Sequence, residues 1–170
     1  MKFIFISLTC FAFSFFAQAK NPETAVVWNP IAEKHNLDGH PESAIRLKYT
    51  MKKLQDQNLL KSVTLVKNWS QTQNSPYLSP KKWAPYNTPK AYEAASTAAG
   101  GLIQLTEAVA QKKYQNGFAL IRPPGHHALK DRGMGYCIFN NISIATLNLL
   151  NKKLAKKVLI VDIDAHHGNG

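Results

Sequence analysis

The chain has 170 residues, with 21 lysines and arginines against 10 aspartates and glutamates, for a formal net charge of +11. The lysines stand in scattered pairs (Lys52-Lys53, Lys81-Lys82, Lys112-Lys113, Lys152-Lys153, Lys156-Lys157) without interleaved aromatics, a solvated basic face that argues against a nucleic-acid partner. After the first twenty residues no apolar run is long enough to span a bilayer.

Residues 1–19 carry a basic start (Met1-Lys2), an apolar run from Phe3 to Phe16, and the small-x-small site Ala17-Gln18-Ala19. This is the pattern of a secretory signal peptide, and it predicts cleavage near Lys20 and a secreted or periplasmic protein. A lipoprotein signal ending at Cys10 is the competing reading, disfavoured by Thr9 just before it. The remainder, 20–170, is long enough for one domain with its own core. It keeps Cys137 as its single cysteine, which excludes an internal disulfide; a buried small hydrophobe is the expected role.

Thr24 to Trp28 reads as a short buried strand ended by Asn29-Pro30, with a loop from Ile31 to Gly39. Ser43 to Asp56 follows as a helix. Ile45, Tyr49 and Lys52 with Leu47, Met51 and Leu54 recur at helical spacing, and Pro41 and Glu42 suit a first turn. Ser62 to Val66 is a second strand. Asn68 to Tyr86, broken by Pro76, Pro80 and Pro85, reads as irregular loop. Thr88-Pro89 starts a helix that reaches about Gln111, a hydroxyl cap followed by proline. Gly100-Gly101 inside it costs about 1 kcal/mol per glycine relative to alanine, so a close approach to the sheet is expected there. Asn116-Gly117 turns the chain into a buried strand from Phe118 to Ile121, and the loop from Arg122 to His127 cannot be helical. Asn140 to Leu150 is a helix. Val158 to Val161, apolar and largely β-branched, is a fourth, buried strand. The alternation of strands and helices predicts an α/β fold with helices packed around a parallel sheet.

Two loops at the carboxyl ends of predicted strands carry the chemistry, which is where α/β folds place ligands. One holds His126 and His127. In the other, running to Gly170, Asp162, Asp164 and His166 alternate and would share one side of an extended chain. A carboxylate and an imidazole that close suit a divalent metal such as zinc, which needs at least one further protein ligand.

Four segments together, His40-Pro41-Glu42 with Arg46, Arg122 to Ala128, Gly135 to Asn141, and Asp162 to Gly170, resemble in order the motifs of histone deacetylase-like amidohydrolases. The likeness is closest to the class II and bacterial branch, which includes acetylpolyamine amidohydrolases, and it corresponds to the amino-terminal half of such a catalytic domain. It implies an arginase/deacetylase-like, three-layer α/β/α fold with a parallel sheet in the order 2-1-3-8-7-4-5-6, truncated here. By position, Asp164 and His166 match zinc ligands. A third ligand, an aspartate, and an oxyanion tyrosine belong beyond Gly170. His126 and His127 match the pair that handles the proton of the attacking water, and Asp162 the carboxylate that orients the first of them. Asp162, with backbone carbonyls of Asp164 and His166, also resembles a potassium site. Asn169 falls where class I members have an aspartate and class II members asparagine. Gly135 and Tyr136 match a wall of the substrate tunnel, where phenylalanine is commoner, and Arg46 matches an arginine near an acetate-exit channel.

The resemblance implies hydrolysis of an acetyl-amide (acetyl-lysine, acetylpolyamine or another small acetylated amine) to free amine and acetate, with zinc and potassium as cofactors. Export argues against histones as substrates. With strands missing between the third and fourth, apolar edges would be exposed, so the chain alone is expected to be unstable or inactive. Two other readings compete. One is a non-catalytic deacetylase-like domain that holds a metal or acetylated ligand. The other is a manganese ureohydrolase related to arginase, against which Gly168, Asn169 and the Arg122-to-Ala128 motif speak.

Overall fold

The computed structural model describes residues 23–36, 39–67, 69, 88 and 90–170. The signal peptide expected over 1–19, most of the 68–86 loop, and Pro89 lie outside the described residues.

Strands β1 (Thr24–Val27), β2 (Thr64–Val66) and β3 (Asn116–Ala119) form a parallel sheet in the order β2-β1-β3. Because β1 is central, it is covered on both faces, and Ala25, Val26 and Val27 are all buried. That is why its sequence shows no polar alternation. Helix α1 (Ile45–Asp56) links β1 to β2, and α2 (Ala91–Ala110) carries the chain back across to β3. Crossovers of one hand that travel in opposite directions place their helices on opposite faces. Accordingly Ala25 and Val27 pack with Leu105 of α2 on one face, while Leu47 and Met51 of α1 pack with Trp28 and Leu120 on the other.

Helix α3 (Asn141–Asn151) is capped by the Asn140 side chain, which accepts the Ser143 N–H at 3.1 Å. It lies along α2, where Ala95, Ala99 and Ile103, each about one turn from the next, meet Phe139, Ile144 and Ala145. Tyr92 meets Phe139 at the start of this pair, and Glu107 bonds Asn148 and Lys152 at its end, so the two helices run in the same direction. The result is the expected α/β/α layering. No helix among the described residues is long and apolar enough to cross a membrane.

Four local expectations are corrected. On α1, Ile45 and Tyr49 are exposed and only Leu47 is fully buried. Positions two apart on a helix differ by about 200°, so the Ile45 and Leu47 rows point in opposite directions and one sheet cannot bury both. Thr88 does not cap α2. Its hydroxyl pairs with His35 Nδ1 at 2.9 Å, and the helix opens from Lys90 without a side-chain cap. The close approach at Gly101 is to an indole rather than to the sheet: a Cβ there would lie 2.7 Å from Trp69 Nε1. Strand β3 starts at Asn116, so Asn116 and Gly117 pair with β1 instead of turning, and at the sheet's edge Phe118 stays 58% exposed.

The largest departure concerns Val158 to Val161, which form no strand; Leu159 and Val161 are 86% and 71% exposed. Apolar residues on both faces of a strand need a ladder to join and layers above and below it. The order expected from the resemblance places other strands between β3 and this segment. Without them among the described residues, it has no ladder to enter.

Candidate active site

Past β3, Leu120 still donates to Val27 O at 2.9 Å, after which Arg122 turns inward and is 3% exposed. All five guanidinium N–H groups find acceptors. Nε and Nη2 grip Glu42 Oε1 and Oε2 at 3.0 and 2.6 Å, and Nη2 also reaches Glu42 O at 3.1 Å. Nη1 donates to Ala32 O at 2.5 Å and to the His35 carbonyl. Further along, Asn141 Nδ2 holds Pro123 O at 3.1 Å, and the Ala128 N–H closes on Gly125 O at 3.1 Å. This frame presents His126 and His127 with ring centroids 4.1 Å apart.

The segment after α3 comes up against this loop. His126 Nδ1 donates to Asp162 Oδ2 at 2.8 Å, and the Gly170 N–H to His126 O at 2.9 Å. His127 Nδ1 lies 2.7 Å from Asn169 Oδ1. Oxygen acceptors at both Nδ1 atoms put the protons there and leave each neutral ring's Nε2 as its basic nitrogen. Asp162, Asp164 and His166 do not lie along one side of a strand, as expected from their alternation. Asp162 Oδ1 accepts the Asp164 N–H at 3.0 Å and Asp164 Oδ1 accepts the His166 N–H at 2.8 Å, two successive Asx turns. These turns aim Asp162 at His126 and leave Asp164 with His166.

Both carboxylates are held below the ordinary aspartate range. For Asp162 the His126 hydrogen bond is the main cause, followed by the Asp164 N–H. For Asp164 it is the His166 N–H, followed by the His166 ring. Both are therefore ionised at neutral pH.

Asp164 Oδ1 and His166 Nδ1 lie 3.1 Å apart. That is near the edge, roughly 3.3 Å, of a tetrahedron with bonds of about 2.0 Å, and a carboxylate with an imidazole is a donor set that suits zinc. The two side chains are 49% and 79% exposed, open to an incoming ion, and the His166 and His127 centroids are 6.2 Å apart. Among the described residues no group of three His, Cys, Asp or Glu side chains forms a metal site, so a further donor is needed.

Gly135 and Tyr136 take positive φ values of 53° and 67°. A Cβ on Gly135 would collide with the His127 ring, so glycine is required for this close pass. Tyr136, the next residue, sets its ring edge-to-face with His40 at a centroid distance of 4.5 Å. Arg46, 63% exposed in its side chain, pairs with Glu42 Oε1 at 3.5 Å. Cys137 is buried, as expected; burial pushes its thiol up, and it shares weak hydrogen bonds with the His127 N–H and Gly135 O.

The Arg122–Glu42 pair and buried His35 were not foreseen as parts of the site. The two partners are 80 positions apart, and no periodicity links such residues. The only available signal was two charges placed in proline-containing motifs.

The histone deacetylase domain family model matches residues 51–170. Histone deacetylase 5 of Arabidopsis thaliana is 53% identical over 81 residues, 46% of this chain and 12% of that protein. Polyamine deacetylase HDAC10 of Homo sapiens is 44% identical over 85 residues, 50% of this chain and 13% of that protein. Among solved structures, the HDA15 HD domain matches with a TM-score of 0.74 at 30% identity, over 88% of this chain and 48% of that one. The chain thus spans about half of that structure and about an eighth of those curated relatives.

Proposed function

The chain belongs to the histone deacetylase domain family, and from that premise we propose that it carries the proton-handling side of a zinc-dependent amidohydrolase site for an acetyl-amide, either acetyl-lysine or an acetylated polyamine. The observation that carries this reading is the convergence of two loops. His126 is paired with a carboxylate, His127 with an amide, and a carboxylate–imidazole donor pair sits beside them.

Asp164 and His166 would hold the zinc, which when bound polarises an amide carbonyl and favours ionisation of water. The histidines move the protons. A neutral imidazole takes the attacking water's proton at Nε2, and the pair returns one to the leaving amine. Asp162 faces His126 and the neutral Asn169 amide faces His127, so the two rings are held by different partners. Asp162 and backbone carbonyls of Asp164 and His166 would hold potassium. Tyr136 and Gly135 would flank the substrate's methylenes, and Arg46 would line the acetate exit. Export after cleavage near Lys20 would direct the enzyme to small acetylated amines rather than histones, and the exported protein's intact mass tests that cleavage.

Among the described residues the site offers two metal donors, so turnover is expected to need a further ligand and an oxyanion donor from the rest of a deacetylase domain. The test joins the chain to the carboxyl-terminal half of a related deacetylase domain. Acetate release from N-acetylputrescine or an acetyl-lysine peptide should stop on chelation, return with zinc, and vanish in His127→Ala. A chimera that binds zinc tightly yet releases no acetate would favour the non-catalytic reading. Two manganese ions per chain with urea release would favour the ureohydrolase.

A further inference from the structure

The motif His40-Pro41-Glu42 contributes no group to the proposed chemistry, yet it touches both walls of the site. Its carboxylate takes the bidentate grip of Arg122, at the root of the loop that bears His126 and His127. Its imidazole stands edge-on to Tyr136, at 4.5 Å between centroids. The two contacts are tied together, because the Glu42 N–H donates to His40 Nδ1 at 3.1 Å. This bond requires an unprotonated Nδ1 and so fixes both the tautomer and the tilt of the ring. Arg122 extends the frame to the carbonyls of Ala32 and His35.

We propose that the His40-Pro41-Glu42 turn is a positioning brace: Glu42, through Arg122, sets the geometry of the His126–Asp162 pair, and His40 sets the ring of Tyr136. This rests on the site assignment above, and it adds residues that touch neither substrate nor metal. Glu42 and Arg122 are 6% and 3% exposed, so their pairing is shielded from water and holds the loop root in one arrangement. A buried ion pair replaced as a whole by apolar residues often leaves stability intact. Positioning can therefore be separated from mere stabilisation.

The experiment uses the full chain labelled with 15N-histidine and follows the His126 Nδ1 proton, assigned by its loss in His126→Gln. In the double variant Glu42→Leu/Arg122→Met, the urea midpoint should stay near the parent value while the Asp162-bonded Nδ1 resonance is lost. Retention of both midpoint and resonance overturns the proposal for Glu42. If the double variant does not fold, Arg122→Lys decides, since it keeps the charge and removes the fork; the resonance should again be lost, and its survival overturns the proposal. For His40, alanine should shift the Tyr136 ring resonances and phenylalanine, which keeps an aromatic edge, should restore them. Tyr136 signals unmoved in His40→Ala overturn that half. A parent protein without the His126–Asp162 resonance would instead contradict the site assignment itself.

Discussion

His35 shows how one buried side chain makes the site's frame sensitive to pH. It is 2% exposed beneath Arg122, and burial, followed by the Arg122 charge, lowers its pKa from the ordinary value, with Glu42 partly offsetting them. A lowered pKa means that the unfolded chain binds the proton more readily. Its contribution is therefore intact above the unfolded value of 6.5 and declines as pH falls from there toward the lower folded value. The urea midpoint should drop between pH 7 and 5, and His35→Gln should flatten that slope; equal slopes would remove His35 from the account. Breaking the Arg122–Glu42 pair from one side is a harsher change. Arg122→Ala should destabilise by about 3–5 kcal/mol, because it strips the buried Glu42 charge of its bidentate partner and leaves it the longer contact to exposed Arg46 at 3.5 Å. In an active chimera, Asp162→Asn should lower kcat by about 10²–10⁴-fold with little change in fold, since His126 loses the carboxylate that orients its ring. At this scale the gathering of His126, His127, Asp162, Asp164 and His166 was legible in advance, because two histidine pairs with alternating carboxylates at predicted strand ends are an unusual pattern. Their pairings were legible only in part. Asn169 opposite His127 followed only from the resemblance, and Glu42 with Arg122 depends on burial, which leaves no local pattern.

Among the elements, α2 holds the layers together, and Gly101 is its tightest point. The Trp69 indole lies against the glycine and donates to Thr97 O at 3.0 Å, so it cannot retreat without losing that bond. Gly101→Ala should therefore destabilise the fold by about 1–2 kcal/mol, despite alanine's better helix propensity, as read from denaturation midpoints. A stabilised variant would mean that the indole yields freely. The glycine pair had signalled a close approach without naming the partner, because Trp69 comes from a stretch with no periodicity. The helices themselves were legible to within a few residues, since a helix closes its own hydrogen bonds. Strands do not. Val158 to Val161 read as a buried strand from composition alone, but a strand exists only where a neighbour offers its backbone.

For the whole molecule, that unpaired segment is the main liability. Leu159, Val161 and Ile163 are 86%, 71% and 92% exposed, and among the described residues β3 is an edge strand with Phe118 58% exposed. Such surface promotes association, although a net charge of +11 opposes it. Leu159→Lys with Ile163→Lys should raise the monomer fraction in light scattering and leave the urea midpoint unchanged; a monomeric parent would show that the segment is covered in solution. The order β2-β1-β3 leaves the His126–His127 loop beyond the edge strand β3, and the segment after α3 meets it there through the His126–Asp162 and His127–Asn169 contacts. The most direct measurement is an equilibrium zinc titration of the chimera, which supplies the further donor, and of four variants of it. Binding should be lost in Asp164→Asn and in His166→Gln and kept in His126→Gln and His127→Gln. Zinc that leaves with the His126 or His127 substitutions and survives those at Asp164 and His166 would contradict the division between metal ligands and proton carriers.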